Sequence, residues 1–477
     1  MFHTLSSTVG TRRISCVLFG VIRTLATPGV QVPSAPVAKS PKKQTLARAG
    51  IRNIVFVDAI RTPFVQSGTV FKDMLSVELQ RNALVALVER TKIPLTEVGH
   101  VVCGTVVQEC KTSNVAREAA LMAGFPESIP SHTVTMACIS SNIAMTDIIG
   151  MIASGYIEVG IAGGVELLSD VPIRYARKAR SAMLSIQKAK KIPDQLKLGG
   201  TILANLFNPE LPAIAEFSSG ETMGHSGDRL AAAFGVTRKE SDEFAYRSHF
   251  LADKATREGK LTDVIPVFVD GKKPITVKVD NGIRVSPLDK LAKLKPAFVK
   301  PHGTVTAGNS SFLTDGASAA LIMSEDYALK HGYKPKAYLR DFHYVAQDPV
   351  DQLLLSPAYV IPKLLDRTGL ALSDIDVWEI HEAFAGQLLA NLNAMDCEFF
   401  CKDKLHRNSK VGRLPLDKLN LWGGSLSLGH PFAATGVRLV SHTANRLRAE
   451  GGKYGFVAAC ASGGQGVGML IETYPNK

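Results

Sequence analysis

Two stretches decide the fold once they are laid side by side: Leu95–Gln108, LTEVGHVVCGTVVQ, and Leu372–Ala385, LSDIDVWEIHEAFA. Each carries an acidic helix exit into a strand rich in β-formers. A second pair follows in the same order, GYIEVGIAGGVELL from Gly155 and GKYGFVAACASGGQG from Gly452. One internal duplication accounts for both pairs. Around them, strands alternate with helices. Asn53–Asp58 reads as a buried strand, and Ser76–Arg90 as an amphipathic helix through Leu79, Ala83, Leu87 and Val88. The Ala-rich helix from Asn114 follows. KAYLRDFHYVA, PAYVIPKLLDRTGL and a closing strand pair repeat the order later. The expected class is α/β: two similar βαβαβαββ halves, each with its own sheet, packed around shared helices so that equivalent turns reach one face.

The rhythm sets the boundaries. Residues 48–170 form the first half, and 333–477 the second. Between them 171–302 breaks the pattern and reads as an inserted loop domain over the active face, after which 303–332 returns to the first half through DGASAALIMS. The 477 residues and 45% hydrophobic composition suffice for a large core. The net charge of +12 suggests a nucleic-acid footprint until it is located. Arg12, Arg13, Arg23, Lys39, Lys42 and Lys43 lie in residues 1–47, which hold no acid, and removing them halves the charge. That composition, with a Pro-rich spacer from Pro28 to Pro41, predicts a mitochondrial transit peptide over 1–47. A secretory signal is the competing reading of the apolar run Ile14–Ile22, but Arg23 ends it and seven unpaired-looking cysteines suit a reducing compartment. No specific nucleic-acid partner is expected. No metal site is expected either, since Cys397, Cys401 and His406 lack a second ligand pair.

Chemistry concentrates at turns. In His132–Asn142, HTVTMACISSN, Thr133–Thr135 favour a strand, and Ala144, Ile148, Met151 and Ile152 then recur at helical spacing until Gly155. Cys138 therefore sits at a strand-to-helix turn, where helical N–H groups favour a thiolate. Three more candidates occupy comparable places: His381 in IHEAFAG, His430 in SLGHPFAATG and Cys460 in AACASGGQG. Any one of them alone reads as a packing cysteine or a structural turn residue. Two cysteines and two histidines at equivalent turns of a duplicated fold read as a catalytic set.

VTMACISSN, HEAFA, GHPFAATG and CASGGQG, with GTVTAGNSSFLTDGA before them, resemble the thiolase superfamily across Ile51 to Glu472. His where many thiolases have Asn in HEAF, and the basic insertion after VPIRYARK, resemble the β-subunit branch of mitochondrial trifunctional proteins. The resemblance implies the thiolase fold and 3-ketoacyl-CoA thiolysis in fatty acid β-oxidation, with no cofactor and with CoA as co-substrate. Cys138 then matches the nucleophile, His430 its base, and Cys460 the acid that protonates the acetyl-CoA enolate and activates CoA, with a thiol pKa tuned toward neutral. The backbone N–H groups of Cys138 and Ser462 match one oxyanion hole, His381 with a water the other. Ser462 stands where Gly is frequent. Ala307, Ser311, Ala383 and Phe384 match the lining of the pantetheine arm. The implied partners are 3-oxoacyl-CoA, a second β subunit, the α subunit carrying hydratase and dehydrogenase activities, and anionic lipid on the matrix face of the inner mitochondrial membrane.

The lipid expectation also rests on residues 174–207. Arg174, Arg177, Lys178, Arg180, Lys188, Lys190, Lys191 and Lys197 face Asp194 alone. Tyr175, Ala179, Ala182, Met183 and Ile186 would form one apolar side, and Ile202, Leu203, Leu206 and Phe207 a second patch. A solvated face or an α-subunit docking surface is the plainer alternative. Four other functions compete. A short-chain acetyl-CoA C-acetyltransferase would share every motif. β-Ketoacyl synthases and HMG-CoA synthases lack the second cysteine in a CxxGGxG string, and a silent lipid-binding scaffold predicts loss of a catalytic residue.

Overall fold

The computed structural model describes residues 46–47, 50–213 and 215–475; of the expected leader, 1–47, only Leu46 and Ala47 fall among them. Twelve strands follow one another: β1 (Ile54–Arg61), β2 (Val65–Gln66), β3 (His100–Gly104), β4 (Ser131–Val134), β5 (Val159–Glu166), β6 (Val267–Val269), β7 (Ile275–Val277), β8 (Thr314–Ser324), β9 (Ala337–Ala346), β10 (Val377–Ile380), β11 (Tyr454–Ala461) and β12 (Gln465–Thr473). The first half is ordered β4-β3-β5-β8-β1 and the second β9-β12-β11-β10. Segment 303–332 contains β8, which lies between β1 and β5.

The two halves repeat down to register. Leu95–Glu97 and Leu372–Asp374 are both three-residue 3₁₀ turns leading into β3 and β10. β3 then pairs in parallel with β5, His100 opposite Gly160, and β10 with β11, Val377 opposite Gly455. The duplicated stretches are therefore superposable partners. They differ at the next strand. β4 pairs with β3 over four residues from Val101–Ser131, whereas its counterpart beside β10 is a single parallel bridge, Trp378–Leu419. There Asn420, in the left-handed region at φ 47°, imitates a strand with its side chain: its amide oxygen accepts from Ile380 N (2.8 Å) and its NH₂ donates to Ile380 O (2.9 Å).

Strand alternation sorts the core into layers. Val55, Val57, Val101 and Ile161 face one way and pack on Leu79, Leu84 and Leu87 of helix Ser76–Thr91. Their neighbours Ile54, Phe56, Val102 and Ala162 face the other way. They meet Ile148 of helix Ser140–Ala153, Val440 of helix Thr435–Glu450, and Val457 and Met469 of the second sheet. Phe456, Ala458 and Leu470 complete the second sheet's outer face against helices Ser356–Thr368 and Ala385–Met395. The order is helix, sheet, helix, sheet, helix, with the two central helices shared. The sheets also touch edge to edge through Val55–Tyr338 and Phe56–Ala337. The sequence reading missed that seam, because two residue pairs leave no pattern.

The inserted residues pack on both halves: Leu230 and Phe244 join the second outer core, and Val267, Val269 and Val277 the first. Arg61 of β1, fully buried, holds them electrostatically, with Nη1 2.6 Å from Asp280 and Nε 3.0 Å from Asp263. Within 174–207 the expected apolar side is turned inward at Ala179 and Ala182, which are buried. The exposed apolar residues are Tyr175, Leu203 and Phe207 of the expected sets, together with Leu184, Ile192 and Leu196. Helices Arg177–Ile186 and Ile192–Ala204 pack against each other and leave these larger residues outside. No helix among the described residues is long and apolar enough to cross a membrane.

Candidate active site

Cys138 lies between β4 and helix Ser140–Ala153, as its sequence context predicts. The turn is tight. Ala137 takes a left-handed φ of 46°, which a residue with a Cβ adopts only when its surroundings enforce it. Ser140 enforces it by accepting from Met136 N (2.8 Å) and donating to Ala137 O (2.6 Å). The backbone N–H groups of Ser462 and of Cys138 itself donate toward the Cys138 sulfur.

A ring nitrogen of His381 and one of His430 lie with the Cys138 sulfur inside a 4.8 Å cluster. Both rings are buried, 4.2 Å apart at their centroids. Hydroxyl groups fix their tautomers in opposite senses. Thr435 Oγ1 donates to Pro431 O (3.1 Å), so at 2.7 Å it must accept from His430 Nδ1–H, leaving the His430 Nε2 lone pair unshared. Ser425 Oγ accepts from Arg438 (2.8 Å), so its proton is free for His381 Nδ1 at 3.1 Å, leaving His381 Nε2–H aimed into the cluster. The pair is thus one base and one donor. A metal ion would need a lone pair from both rings, against the Ser425 hydrogen bond.

Burial and Arg438 keep both rings neutral, His381 lowered to about 3 and His430 well below its ordinary value, where His381 also contributes. The thiols depart from expectation. Burial pushes Cys138 up to about 12; the Ser462 and Cys138 N–H groups pull it down, while Glu166 and Glu216 push it further up. Cys460, buried at the end of β11, is pushed up by burial and by Cys138. Desolvation outweighs the helix N-terminus, so both sulfurs rest as thiols.

Ser311, Ala383 and Phe384 are brought together: Ser311 N donates to Ala383 O (2.9 Å), and Ser310 bridges Phe384. Ala307 lies on the exposed rim. Several site-forming residues gave no signal in the sequence. Buried Glu166 accepts from the N–H groups of Val106, Val107 and Ala433, tying the His430 loop to the first half. Glu382, inside the HEAF motif, accepts from Ser248, Asn420 and Leu426 N and organises the segment before His430. A groove of about 200 Å³ beside Arg52, Ile149 and Arg340 lies at the far end of helix Ser140–Ala153, away from this cluster.

Residues 54–326 match the thiolase N-terminal domain and residues 333–473 the thiolase C-terminal domain. The chain belongs to the thiolase family. This thiolase is 70% identical over 429 residues to a probable 3-ketoacyl-CoA thiolase of Caenorhabditis elegans, covering 90% of this chain and 96% of that one. It is 60% identical to the Homo sapiens mitochondrial trifunctional enzyme subunit beta, covering 93% of this chain and 94% of that one. Among solved structures, human mitochondrial 3-ketoacyl-CoA thiolase aligns with a TM-score of 0.74 at 30% identity, covering 89% of this chain and 99% of that one.

Proposed function

We propose that this thiolase is a mitochondrial 3-ketoacyl-CoA thiolase of fatty acid β-oxidation. The observation that carries the reading is the unshared His430 Nε2 in one cluster with the Cys138 sulfur. His430 takes the Cys138 proton, and the thiolate adds to the C3 carbonyl of a 3-oxoacyl-CoA. One hole, from the Cys138 and Ser462 N–H groups, and the other, from His381 Nε2–H, meet the oxyanions of successive steps. The C2–C3 bond breaks, and its electrons form the acetyl-CoA enolate. Cys460 gives its proton to that enolate carbon and releases acetyl-CoA, leaving the shortened acyl group as a thioester on Cys138. The Cys460 thiolate then removes the proton of incoming CoA. CoA sulfur attacks the thioester, and the leaving Cys138 thiolate recovers its proton from His430. Ala307, Ser311, Ala383 and Phe384 line the pantetheine arm, and CoA is the only co-substrate required.

The test is thiolysis of four-carbon and sixteen-carbon 3-oxoacyl-CoA, with mass spectrometry of the trapped enzyme. Cys138→Ser should form no acyl adduct, and Cys460→Ser should acylate on Cys138 but turn over at least about a hundredfold more slowly. An adduct on Cys460 in place of Cys138 would reverse the assignment.

The remaining partners follow from the same reading. The chain divides into a leader over 1–47, a first half over 48–170 and 303–332, an insert over 171–302 and a second half over 333–477. Two copies pair through β4, the terminal strand of the first half's sheet. A trifunctional α subunit supplies the 3-oxoacyl-CoA. Segment 174–207 rests on anionic lipid at the matrix face of the inner membrane. Exposed Leu184, Leu196, Leu203 and Phe207 among exposed Arg174, Arg177, Lys191 and Lys197 support lipid over a purely solvated face.

A further inference from the structure

The thiolysis scheme leaves one charged group at the site without a task, Glu216 of the insert. Its loop is a closed hairpin: Ala215 bridges Thr222, Glu216 N donates to Glu221 O (2.8 Å), and Gly220 N to Glu216 O (2.8 Å). The far side is anchored where Arg229 joins Glu221 (3.0 Å) to Asp351 (2.8 Å). From this base the Glu216 carboxylate reaches the β11–β12 turn of the second half. It accepts from Ser462 Oγ and from Gly463 N (3.1 Å). That turn continues through Gly463 and Gly464, both in the left-handed region at φ 84° and 69°. Two successive glycines rotate at low cost, so the direction of Ser462 N–H depends on what grips the turn.

We propose that Glu216 is a positioning residue for thiolysis, gripping Ser462 Oγ and Gly463 N–H so that Ser462 N–H stays aimed at the Cys138 sulfur, beside the attacked carbonyl whose oxygen becomes the oxyanion. The inference rests on the thiolase reading of the site. It gives the Ser462 hydroxyl a role that a glycine at this position could not fill, and it makes the insert part of the catalytic geometry. The grip acts against the site's electrostatics. The groups facing the Cys138 sulfur are neutral His381 and His430, the Cys460 thiol, and the carboxyls of Glu166 and Glu216, with Arg438 behind the imidazoles. A carboxylate there opposes both thiolate and oxyanion, so its retention is explained by aim and not by charge.

Separate variants resolve aim from charge. Glu216→Ala should lower kcat about tenfold or more with KM changed less than about threefold, because the donor is misdirected only in the transition state. Glu216→Gln keeps the acceptor oxygen and loses the charge. It should reduce kcat less than Glu216→Ala and move the pH profile of Cys138 alkylation by iodoacetamide to lower pH. In a Ser462→Gly background the Glu216→Ala penalty should shrink, since half the grip is already gone. Wild-type kcat in Glu216→Ala, a kcat in Glu216→Gln as low as that of Glu216→Ala, or fully multiplicative losses in the double variant would each overturn the proposal. Failure of wild-type protein to acylate Cys138 would instead remove the thiolase reading beneath it. Thermal melts of all variants check folding, and Glu216→Gln, nearly isosteric, keeps the test decisive if Glu216→Ala is unstable.

Discussion

Two imidazoles in one buried cluster hold their protons on opposite nitrogens because Thr435 and Ser425 differ in what else they bond. Thr435→Val removes the acceptor for His430 Nδ1–H and lets the proton move to Nε2, where the ring can no longer serve as base. A fall in kcat of about a hundredfold with little change in KM is expected in steady-state assays. His381→Asn substitutes one neutral donor for another and should keep kcat within about tenfold, whereas a dead but folded variant would show that the ring itself is needed. Glu166 gives a second handle. Burial raises its carboxyl from the ordinary 4.5 to about 7, against the pull of the Val107, Ala433 and Val106 N–H groups. A raised acid stabilises the fold fully below its unfolded pKa and progressively less as pH climbs through its folded one. Between pH 5 and 8 this costs about 3 kcal/mol. Urea midpoints should therefore fall across that window in wild type, and less so in Glu166→Gln. The four side chains proposed to react were legible as candidates in the sequence because they mark turns. Thr435, Ser425, Glu166 and Glu216 were not. Short polar residues carry no local pattern, and Glu166 meets Ala433 across 267 positions. The upward thiol shifts were misread for a related reason: depth of burial belongs to the assembled layers and not to the segment.

The elements meet most closely where β5 passes the His430 loop. A Cβ on Gly164 would stand 2.0 Å from Ala433 O, a backbone atom with Glu166 already holding its own N–H. Gly164→Ala should lower stability by about 3 kcal/mol and displace His430, detected as a reduced Tm with an even larger loss of kcat. Gly150, in helix Ser140–Ala153, has nothing within 4 Å, and Gly150→Ala should stabilise by about 0.5–1 kcal/mol. The duplicated elements were readable because 3₁₀ turn, strand and partner strand recur as whole units. The divergence at β4 was not readable, since Leu419 and Asn420 replace a strand with a backbone bridge and one side chain.

Across the whole molecule, the insert spans both outer cores, touches the catalytic turn and presents the basic, apolar segment outward. Flotation should separate wild type from a variant with Arg174, Arg177, Lys178, Arg180, Lys188, Lys190, Lys191 and Lys197 replaced by Gln. Wild type should float with anionic vesicles at low salt and less at high salt, and the variant should stay in the load fraction. Equal flotation of both would move the lipid contact elsewhere. Assembly has its own structural control in the inequality of the halves. A perfectly duplicated chain would end its sheets in two equivalent open strands, and such a chain could add neighbours at both ends without limit. Here Trp378 N and O and Ile380 N and O are already taken by Lys418, Asn420 and the Asn420 amide. Among the described residues, that leaves the β4 end of the long sheet as the strand edge for the partner copy proposed above. In the pairing proposed above, a joint made from one edge and its own copy would close on a twofold axis, so divergence at a single strand would leave a finite pair in place of a filament.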